Sequence, residues 1–487
     1  SETVYTELKQ VCEPIPGKLP PSVADDLCSF LLQDAPAGCA DGLEGGSTDP
    51  HRRFTLLGDT GKKITPEYGL LGRLQTSQSQ NVYLNTNEPF CFVTLGVQGS
   101  GKSHSLAVIL ENCVLRVPDD LKGATDDALR LRKPMSSLVF HYDQNQRNSC
   151  ESIGVVNPCD RLRSFGGFAD KTSLHPPTVP RDKLLVIVSP SNYHQRKNFY
   201  GPNVRVEPLL FSWGKLSAKQ IKGIMRINDG DNQLYMHTFL SQLRGFQRKQ
   251  SMPTFARFLS RIEEMCSANG QNSPLRQRLA LLEALMKESA VNKEFGDIGG
   301  DLSSLMKEGM VVVADLTDPL LSPEEANGIF EVLLDQFRSD QVGGSVEGGK
   351  LLVLDEAHRY VSGAESDGLS RSIVDAVRLM RHEGLRVAIS TQSPKVLAPE
   401  LLELVSLMLI HRFHSEEWFT YLKSKVVLPP GGFETIRQLS TGQALAFAAS
   451  HQFNDDDRSE ALLLSVRARL TQDLGASVTN SGCRPYP

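Results

Sequence analysis

Residues 96–103 read GVQGSGKS, a glycine-rich octet that ends in a lysine and a serine. Glycines at this spacing let backbone N–H groups turn inward around an anion. The lysine would reach the β and γ phosphates of a nucleotide, and the serine hydroxyl would hold Mg²⁺. The octet therefore predicts a site for ATP and Mg²⁺ formed by Gly96, Gln98, Gly99, Ser100, Gly101, Lys102, Ser103 and His104.

A second candidate group lies far along the chain, where the apolar run KLLVL at 350–354 ends in Asp355 and Glu356. Asp355 would bind Mg²⁺, and Glu356 would orient and deprotonate the water that attacks the γ-phosphate. The alternative is a pair of carboxylates that caps a helix. Gln392 follows the next apolar run and could touch the γ-phosphate or the water, although polar residues commonly end strands.

Apolar runs alternate with segments of helical spacing on both sides of these motifs. Strands are expected at 90–95, 137–142, 184–188, 310–316, 350–354, 386–390, 407–410 and 444–448. Helices are expected at 103–115, 234–243, 253–265, 274–288, 323–337, 370–381, 416–423 and 458–470. Such alternation is typical of an α/β fold whose mostly parallel sheet is covered on both faces. The first strand ends at the octet and a helix follows it, which is the arrangement that phosphate binding needs.

Composition and pattern divide the chain into five segments. Residues 1–65 are rich in Pro, Gly and Asp toward their end and predict a partly extended arm. A core with the octet follows at 66–204, within which 144–181 is expected to be a long loop. Strand signals vanish at 205–305, which predicts a helical insertion. The core resumes at 306–450, and 451–487 are expected to form a C-terminal helix and tail.

The motifs, in their order and spacing, resemble the HerA/FtsK superfamily of RecA-like (ASCE) P-loop ATPases. The segments that carry the resemblance are 69–84, 93–103, 310–316, 351–359 (LLVLDEAHR), 381–394, 397–412 and 439–445. It implies a RecA-like P-loop NTPase core, a homo-oligomeric ring, usually a hexamer, with ATP sites between subunits, and translocation of double-stranded DNA. It also makes Arg381 and Arg412 candidates for an arginine finger. Each arginine could instead form a surface salt bridge or a local phosphate contact.

The bulk composition excludes some classes of protein. Among 487 residues, 40% are hydrophobic and 22% are charged, and the net charge is −5, which argues against coating nucleic acid through global charge. The sequence shows no apolar run long enough to span a membrane and no secretory signal, so a cytoplasmic or nuclear protein is expected. Nine scattered cysteines contain no CxxC pair, which indicates reduced thiols. His141, His194 and His358 show no metal-ligand spacing.

Three basic stretches, 129–133, 193–200 and 244–249, could bind DNA through phosphate contacts and base stacking. Solvated loop charge is the alternative for each stretch. Two functions follow. The first is an ATP-driven motor that translocates or remodels double-stranded DNA, using Lys102, Glu356, Gln392 and a trans arginine in catalysis. The second is a nucleotide-controlled assembly or signalling switch that hydrolyses ATP slowly and binds proteins.

Overall fold

One large sheet organises the protein. The computed structural model describes residues 54–75, 80–116, 129–159, 177–226, 234–249, 253–266, 272–339, 348–364, 367–453 and 461–475. Within these ranges the strands join in the order β1-β3-β2-β14-β13-β12-β4-β11-β10-β6-β9-β7-β8, and β5 pairs with β2. Their bounds are β1 Leu56–Leu57, β2 Tyr68–Leu74, β3 Asn81–Asn85, β4 Cys91–Leu95, β5 Leu129–Arg130, β6 Ser136–His141, β7 Leu184–Val188, β8 Arg205–Pro208, β9 Val311–Asp315, β10 Lys350–Leu354, β11 Leu385–Thr391, β12 Leu407–Ile410, β13 Gln443–Ala448 and β14 Leu462–Val466.

The eight strands from β12 to β8 are all parallel, and the remaining pairings are antiparallel. Strand β11 lies between β4, which leads into the octet, and β10, which leads into the carboxylates. Parallel strands are buried on both faces because crossover helices cover the sheet on each side, which explains their continuous apolar runs. The large, mostly parallel sheet between helices is the α/β architecture expected from the sequence, so the predicted fold class is confirmed.

Helices cover the sheet on both faces. Those in the described part are α1 Asp59–Ile64, α2 Lys102–Val114, α3 Tyr193–Tyr200, α4 Ala218–Ile224, α5 Leu234–Lys249, α6 Phe255–Cys266, α7 Asn272–Leu285, α8 Leu302–Leu305, α9 Pro323–Arg338, α10 Gly368–Glu383, α11 Pro399–Glu403, α12 Glu416–Lys423 and α13 Gly432–Gln438. None of them combines the length and apolar character needed to cross a bilayer.

Alternate strand residues divide the interior into two cores. In β10, Leu352 and Leu354 pack with α9, α10 and the helices of the insertion, whereas Leu351 and Val353 pack with α2 on the other face. Successive side chains of a strand point to opposite faces, so one apolar strand serves both cores. The sheet is thereby fixed from both sides, and the loops at its edge start from rigid strands.

Two expectations about elements were wrong. The predicted helix at 458–470 is a strand where it is described, since Leu462–Val466 pairs with β13 and β2. The insertion begins with a strand, because Arg205–Pro208 adds to β7 in parallel. In both cases pairing with a distant strand outweighs local propensity. The described end of the predicted arm contains β1, which pairs with β3, and α1. Residues 1–53 lie outside the described part, and the segment boundaries remain predictions.

Candidate nucleotide site

The octet forms a loop between β4 and α2. Gly99 and Gly101 adopt φ angles of +74° and +109°, which L side chains rarely adopt. A Cβ on Gly101 would lie 3.1 Å from the backbone nitrogen of Gly442. Helix α2 begins at Lys102, so its free N–H groups and its partial positive charge face the loop. The loop therefore has the backbone geometry of an anion site.

The Lys102 side chain folds back over the loop. Its Nζ donates to the carbonyl oxygen of Val97 at 3.0 Å, and the residue is only 4% exposed. Burial lowers the pKa of Lys102, and the nearby carboxylates of Glu356, Asp355 and Glu151 oppose that shift. These carboxylates therefore act on the Lys102 ammonium, which places the octet and the acidic strand end in one site.

Strand β12 supports the loop from the other side. Val97 N donates to Arg412 O at 3.0 Å. His411 is fully buried, with Nδ1 2.8 Å from Gln443 O and Nε2 2.9 Å from Ser105 Oγ. Since a carbonyl can only accept, Nδ1 donates, and Nε2 accepts from the serine. Burial lowers the pKa of His411 to about 4, so the imidazole is neutral at pH 7.

The carboxylates follow β10 at the same edge of the sheet. Glu356 has φ +48°, a left-handed conformation that costs energy in a residue other than glycine. Its Oε2 accepts a hydrogen bond from Gln392 Nε2 at 2.8 Å and lies 3.4 Å from His358 Nε2. Such strain concentrates at functional sites, where the surrounding contacts hold it in place. Here the backbone turns the Glu356 side chain toward Gln392 from the neighbouring strand.

Glu151 is a member of the site that sequence reasoning missed. It opens a 3-10 turn, Glu151–Val156, inside the segment expected to be a loop. The Ser103 hydroxyl lies near its carboxylate and opposes the rise of its pKa, and Arg469 Nη1 lies 3.4 Å from its Oε2. Burial, followed by the negative charge of Asp355, raises the pKa of Glu151 to about 7. One sequence signal pointed to this part of the site. Polar and apolar residues alternate in VRARL at 466–470, a pattern typical of an extended segment, and Arg469 lies in it.

The oxygen donors at this edge suit a hard cation. The Ser103 hydroxyl and the carboxylates of Asp355 and Glu151 are the ligand types that Mg²⁺ takes in proteins, together with water and phosphate oxygens. Asp355 is 5% exposed and forms no ion pair with a lysine or arginine among the described residues. This donor set fits the predicted magnesium.

The remaining members of the octet differ in exposure. Gln98 and Gly99 are exposed, whereas Ser100 is buried and its hydroxyl donates to Val97 O at 2.7 Å. The ring of His104 lies 2.7 Å from Arg467 O through Nε2, so that side chain is held by the C-terminal segment. A nucleotide contact by His104 would therefore come from its backbone in the first turn of α2.

The two candidate arginines lie at different places. Arg412 follows β12 beside the chain's own phosphate loop, and its Nε has no hydrogen-bond partner in the described part of the chain. Arg381 is exposed in the last turn of α10, just before β11 begins. The phosphate loop lies at the opposite edge of the sheet, where β11 ends. Arg381 is thus remote from the nucleotide site of its own chain.

For the basic stretch at 193–200, DNA contact and solvated loop charge were the two alternatives, and Arg196 fits neither. Arg196 is fully buried in α3 and forms an ion pair with Asp315 at the end of β9. Lys197 Nζ donates to Tyr193 OH at 3.0 Å. A buried arginine with an acidic partner is part of the fold and cannot reach a DNA phosphate. The stretches at 129–133 and 244–249 keep exposed arginines.

Several solved structures are similar to the chain. The genome packaging NTPase B204 from Sulfolobus turreted icosahedral virus 2 is 18% identical, the match covers 30% of this chain and 65% of that chain, and the TM-score is 0.24. VirB4 of Thermoanaerobacter pseudethanolicus is 11% identical over 82% and 96% of the two chains, with a TM-score of 0.44. EssC (ATPases 2 and 3) from Geobacillus thermodenitrificans is 10% identical over 83% and 44%, with a TM-score of 0.31.

No protein family profile matches the sequence, and no curated protein matches it. The similar structures are described as an NTPase, a VirB4 protein and ATPases. Their superposition on this chain is loose, so the assignment of the fold rests on the strand order and on the phosphate loop between β4 and α2. By these two features the chain has an α/β fold with a mostly parallel sheet and a phosphate loop at the end of a central strand, which is the fold class that its motifs predict.

Proposed function

We propose that the chain hydrolyses ATP with Mg²⁺ and works in a ring as a motor on double-stranded DNA. The observation that carries the proposal is the contact between Glu356 and Gln392, 2.8 Å apart, beside Asp355 and the buried Lys102. A site that only binds a nucleotide needs no carboxylate fixed next to the expected γ-phosphate. A hydrolase needs one, because the attacking water must be oriented and must lose a proton.

Each side chain has a task in this reaction. Lys102 supplies positive charge to the β and γ phosphates as negative charge builds up in the transition state. Glu356 accepts the proton of the water, and the Gln392 amide holds the carboxylate in the required orientation. Ser103 and Asp355 would hold Mg²⁺, which, when bound, neutralises charge on the transferring phosphoryl group. Glu151 lies near the Ser103 hydroxyl and would orient it.

In the proposed ring, a neighbouring copy of the chain would supply the arginine finger to each nucleotide site. Arg381 lies at the edge of the sheet opposite its own phosphate loop, so as an arginine finger it would serve a neighbouring copy. Arg412 lies beside its own loop, and we assign it a phosphate contact within the chain. A hydrolysis site completed by a neighbour couples turnover to the arrangement of subunits.

The helical insertion offers the DNA contacts in this proposal. Arg244 and Arg248 are exposed in α5, and Arg257 and Arg261 are exposed in α6. Residues four apart share one face of a helix, so each pair presents two positive charges together. Such pairs suit the phosphates of a DNA backbone, which bind through charge rather than sequence. Because the net charge of the chain is −5, DNA binding would depend on such local pairs of positive charge rather than on the charge of the whole protein.

ATP turnover by the purified chain, measured with and without double-stranded DNA, tests the proposal. The motor predicts turnover that DNA stimulates and that Lys102→Ala abolishes. Turnover that DNA leaves unchanged, together with nucleotide-dependent assembly, would favour the switch over the motor. Absence of turnover under both conditions, in protein that assembles with nucleotide, would contradict the ATPase itself.

A further inference from the structure

Three buried side chains of different chemistry meet beside the nucleotide site. His141 ends β6, Cys150 precedes the 3-10 turn, and Asp355 follows β10. One ring nitrogen, the thiol sulfur and a carboxylate oxygen all lie within 4.8 Å of one another. The three residues are 6%, 0% and 5% exposed. Asp355 is more than 200 residues from the other two, and His141 and Cys150 are nine residues apart without a recognised metal-ligand spacing, so the sequence alone showed no metal site at His141.

The imidazole of His141 is only loosely paired among the described residues. Its Nδ1 lies 3.4 Å from Asp355 Oδ2, the distance of a long ion pair, and neither ring nitrogen has a well-formed hydrogen bond there. Buried polar groups are almost always hydrogen-bonded, since an unpaired one loses the free energy of its hydration. A buried ring held loosely beside a carboxylate and close to a thiol has the geometry of a ligand set.

The surrounding charges favour a cation at this position. Asp315 is paired with Arg196 and Asp143 with Arg359, whereas among the described residues Asp355 forms an ion pair only with the His141 ring and has Lys102 as a more distant positive charge. The negative charge of Asp355 therefore remains available to a bound cation.

We propose that His141, Cys150 and Asp355 form a site for a thiophilic divalent transition metal of the Zn²⁺ class. Nitrogen, sulfur and oxygen donors together suit Zn²⁺ and its chemical relatives, and Mg²⁺ does not take thiolate ligands. Binding releases the thiol proton of Cys150, because the thiolate is the ligand. Three protein ligands leave one tetrahedral position for water or a phosphate oxygen.

Occupancy of this site would compete with nucleotide chemistry, because Asp355 is shared with the predicted magnesium position. Cys150 is also covalently adjacent to Glu151, which lies near Ser103. A metal that draws Cys150 and Asp355 together would therefore inhibit turnover. The binding itself does not depend on the proposed ATPase, and this consequence does.

Binding is tested with Co²⁺ as a spectroscopic substitute for Zn²⁺, added to the purified full chain without nucleotide. We expect a thiolate-to-cobalt charge-transfer band that Zn²⁺ removes. Cys150→Ser and His141→Asn should each lose it, whereas Cys159→Ser, at a half-buried thiol elsewhere, should keep it. Circular dichroism identifies which variants are folded, and the cobalt spectrum of either folded variant is sufficient for the test. A folded wild type without the band, or full bands in Cys150→Ser and His141→Asn, would overturn the proposal.

The consequence for activity is tested separately. Zn²⁺ should inhibit ATP turnover of the wild type, a chelator should reverse the inhibition, and Cys150→Ser should need at least about tenfold more Zn²⁺ for the same effect. Equal sensitivity of wild type and Cys150→Ser would show that a metal at Cys150 does not displace Mg²⁺. Failure of the ATPase proposal would leave the cobalt spectra unchanged, so the two failures are distinguishable.

Discussion

Replacing Glu111 by alanine should lower the free energy of unfolding, because this residue connects the phosphate-binding helix α2 to the C-terminal segment. Glu111 is fully buried in α2, and its Oε2 accepts from Arg467 Nη1 at 2.7 Å. Its Oε1 accepts from Leu470 N at 3.0 Å, from Thr471 N at 2.9 Å and from Thr471 Oγ1 at 2.7 Å. One carboxylate thus ties the C-terminal segment to the helix that begins with Lys102.

The expected cost follows from what Glu111→Ala would leave behind. Arg467 would stay buried without its ion partner, which typically costs about 3–5 kcal/mol. Three donors would also lose their acceptor, although these losses overlap with the first and do not add in full. The matched control is Glu400→Ala, because Glu400 pairs with Arg378 and both side chains are about half exposed, at 52% and 51%. Exposed pairs contribute at most about 1 kcal/mol.

Urea unfolding monitored by far-ultraviolet circular dichroism measures both variants against the wild type. The structure predicts a free energy of unfolding lower by about 3–5 kcal/mol for Glu111→Ala and nearly unchanged for Glu400→Ala. Equal unfolding midpoints for the two variants would refute the reasoning, since burial of the ion pair would then have no energetic consequence.

Three further predictions concern pH, catalysis and DNA. The pKa of His411 is about 4 in the folded protein, so the unfolded chain takes up a proton that the folded chain refuses between about pH 6.5 and 4. As the pH falls through this window, the free energy of unfolding should decrease by up to about 3 kcal/mol. The urea midpoint of His411→Gln should decrease less than that of the wild type over the same pH range. Gln392→Ala removes a hydrogen bond to the charged Glu356, so kcat should fall about 10- to 100-fold with an unchanged ATP dissociation constant; an unchanged kcat would contradict the assigned role. Joint Arg244→Glu and Arg248→Glu should weaken DNA binding and reduce its salt slope in fluorescence anisotropy, and an unchanged slope would exclude both as phosphate contacts.

The central strands and the phosphate loop could be predicted because their signals are local. The octet at 96–103 and the carboxylates after 350–354 are contiguous patterns, and each follows a continuous apolar run. The sheet brings them together, since parallel strands end at one edge. Gln392 lies beside Glu356 for the same reason, because β11 pairs directly with β10, and its predicted contact with the γ-phosphate or the water stays a prediction.

The missed features depend on contacts between distant parts of the chain. Strand β14 has helix-compatible residues and becomes a strand by pairing with β13 and β2. Glu151 lies in a 3-10 turn without periodicity, and its role is visible only from its contacts with Ser103 and Arg469. Arg196 lies in a polar, basic stretch that is typical of the protein surface. Only the fold shows that it is buried and paired with Asp315.

The most direct test of the proposed hydrolysis compares wild type and Glu356→Gln for ATP binding and phosphate release. The account predicts that Glu356→Gln binds ATP with unchanged affinity and releases phosphate at least about a hundredfold more slowly, because the amide cannot accept the proton of the water. Phosphate release by Glu356→Gln at the rate of the wild type would contradict the account.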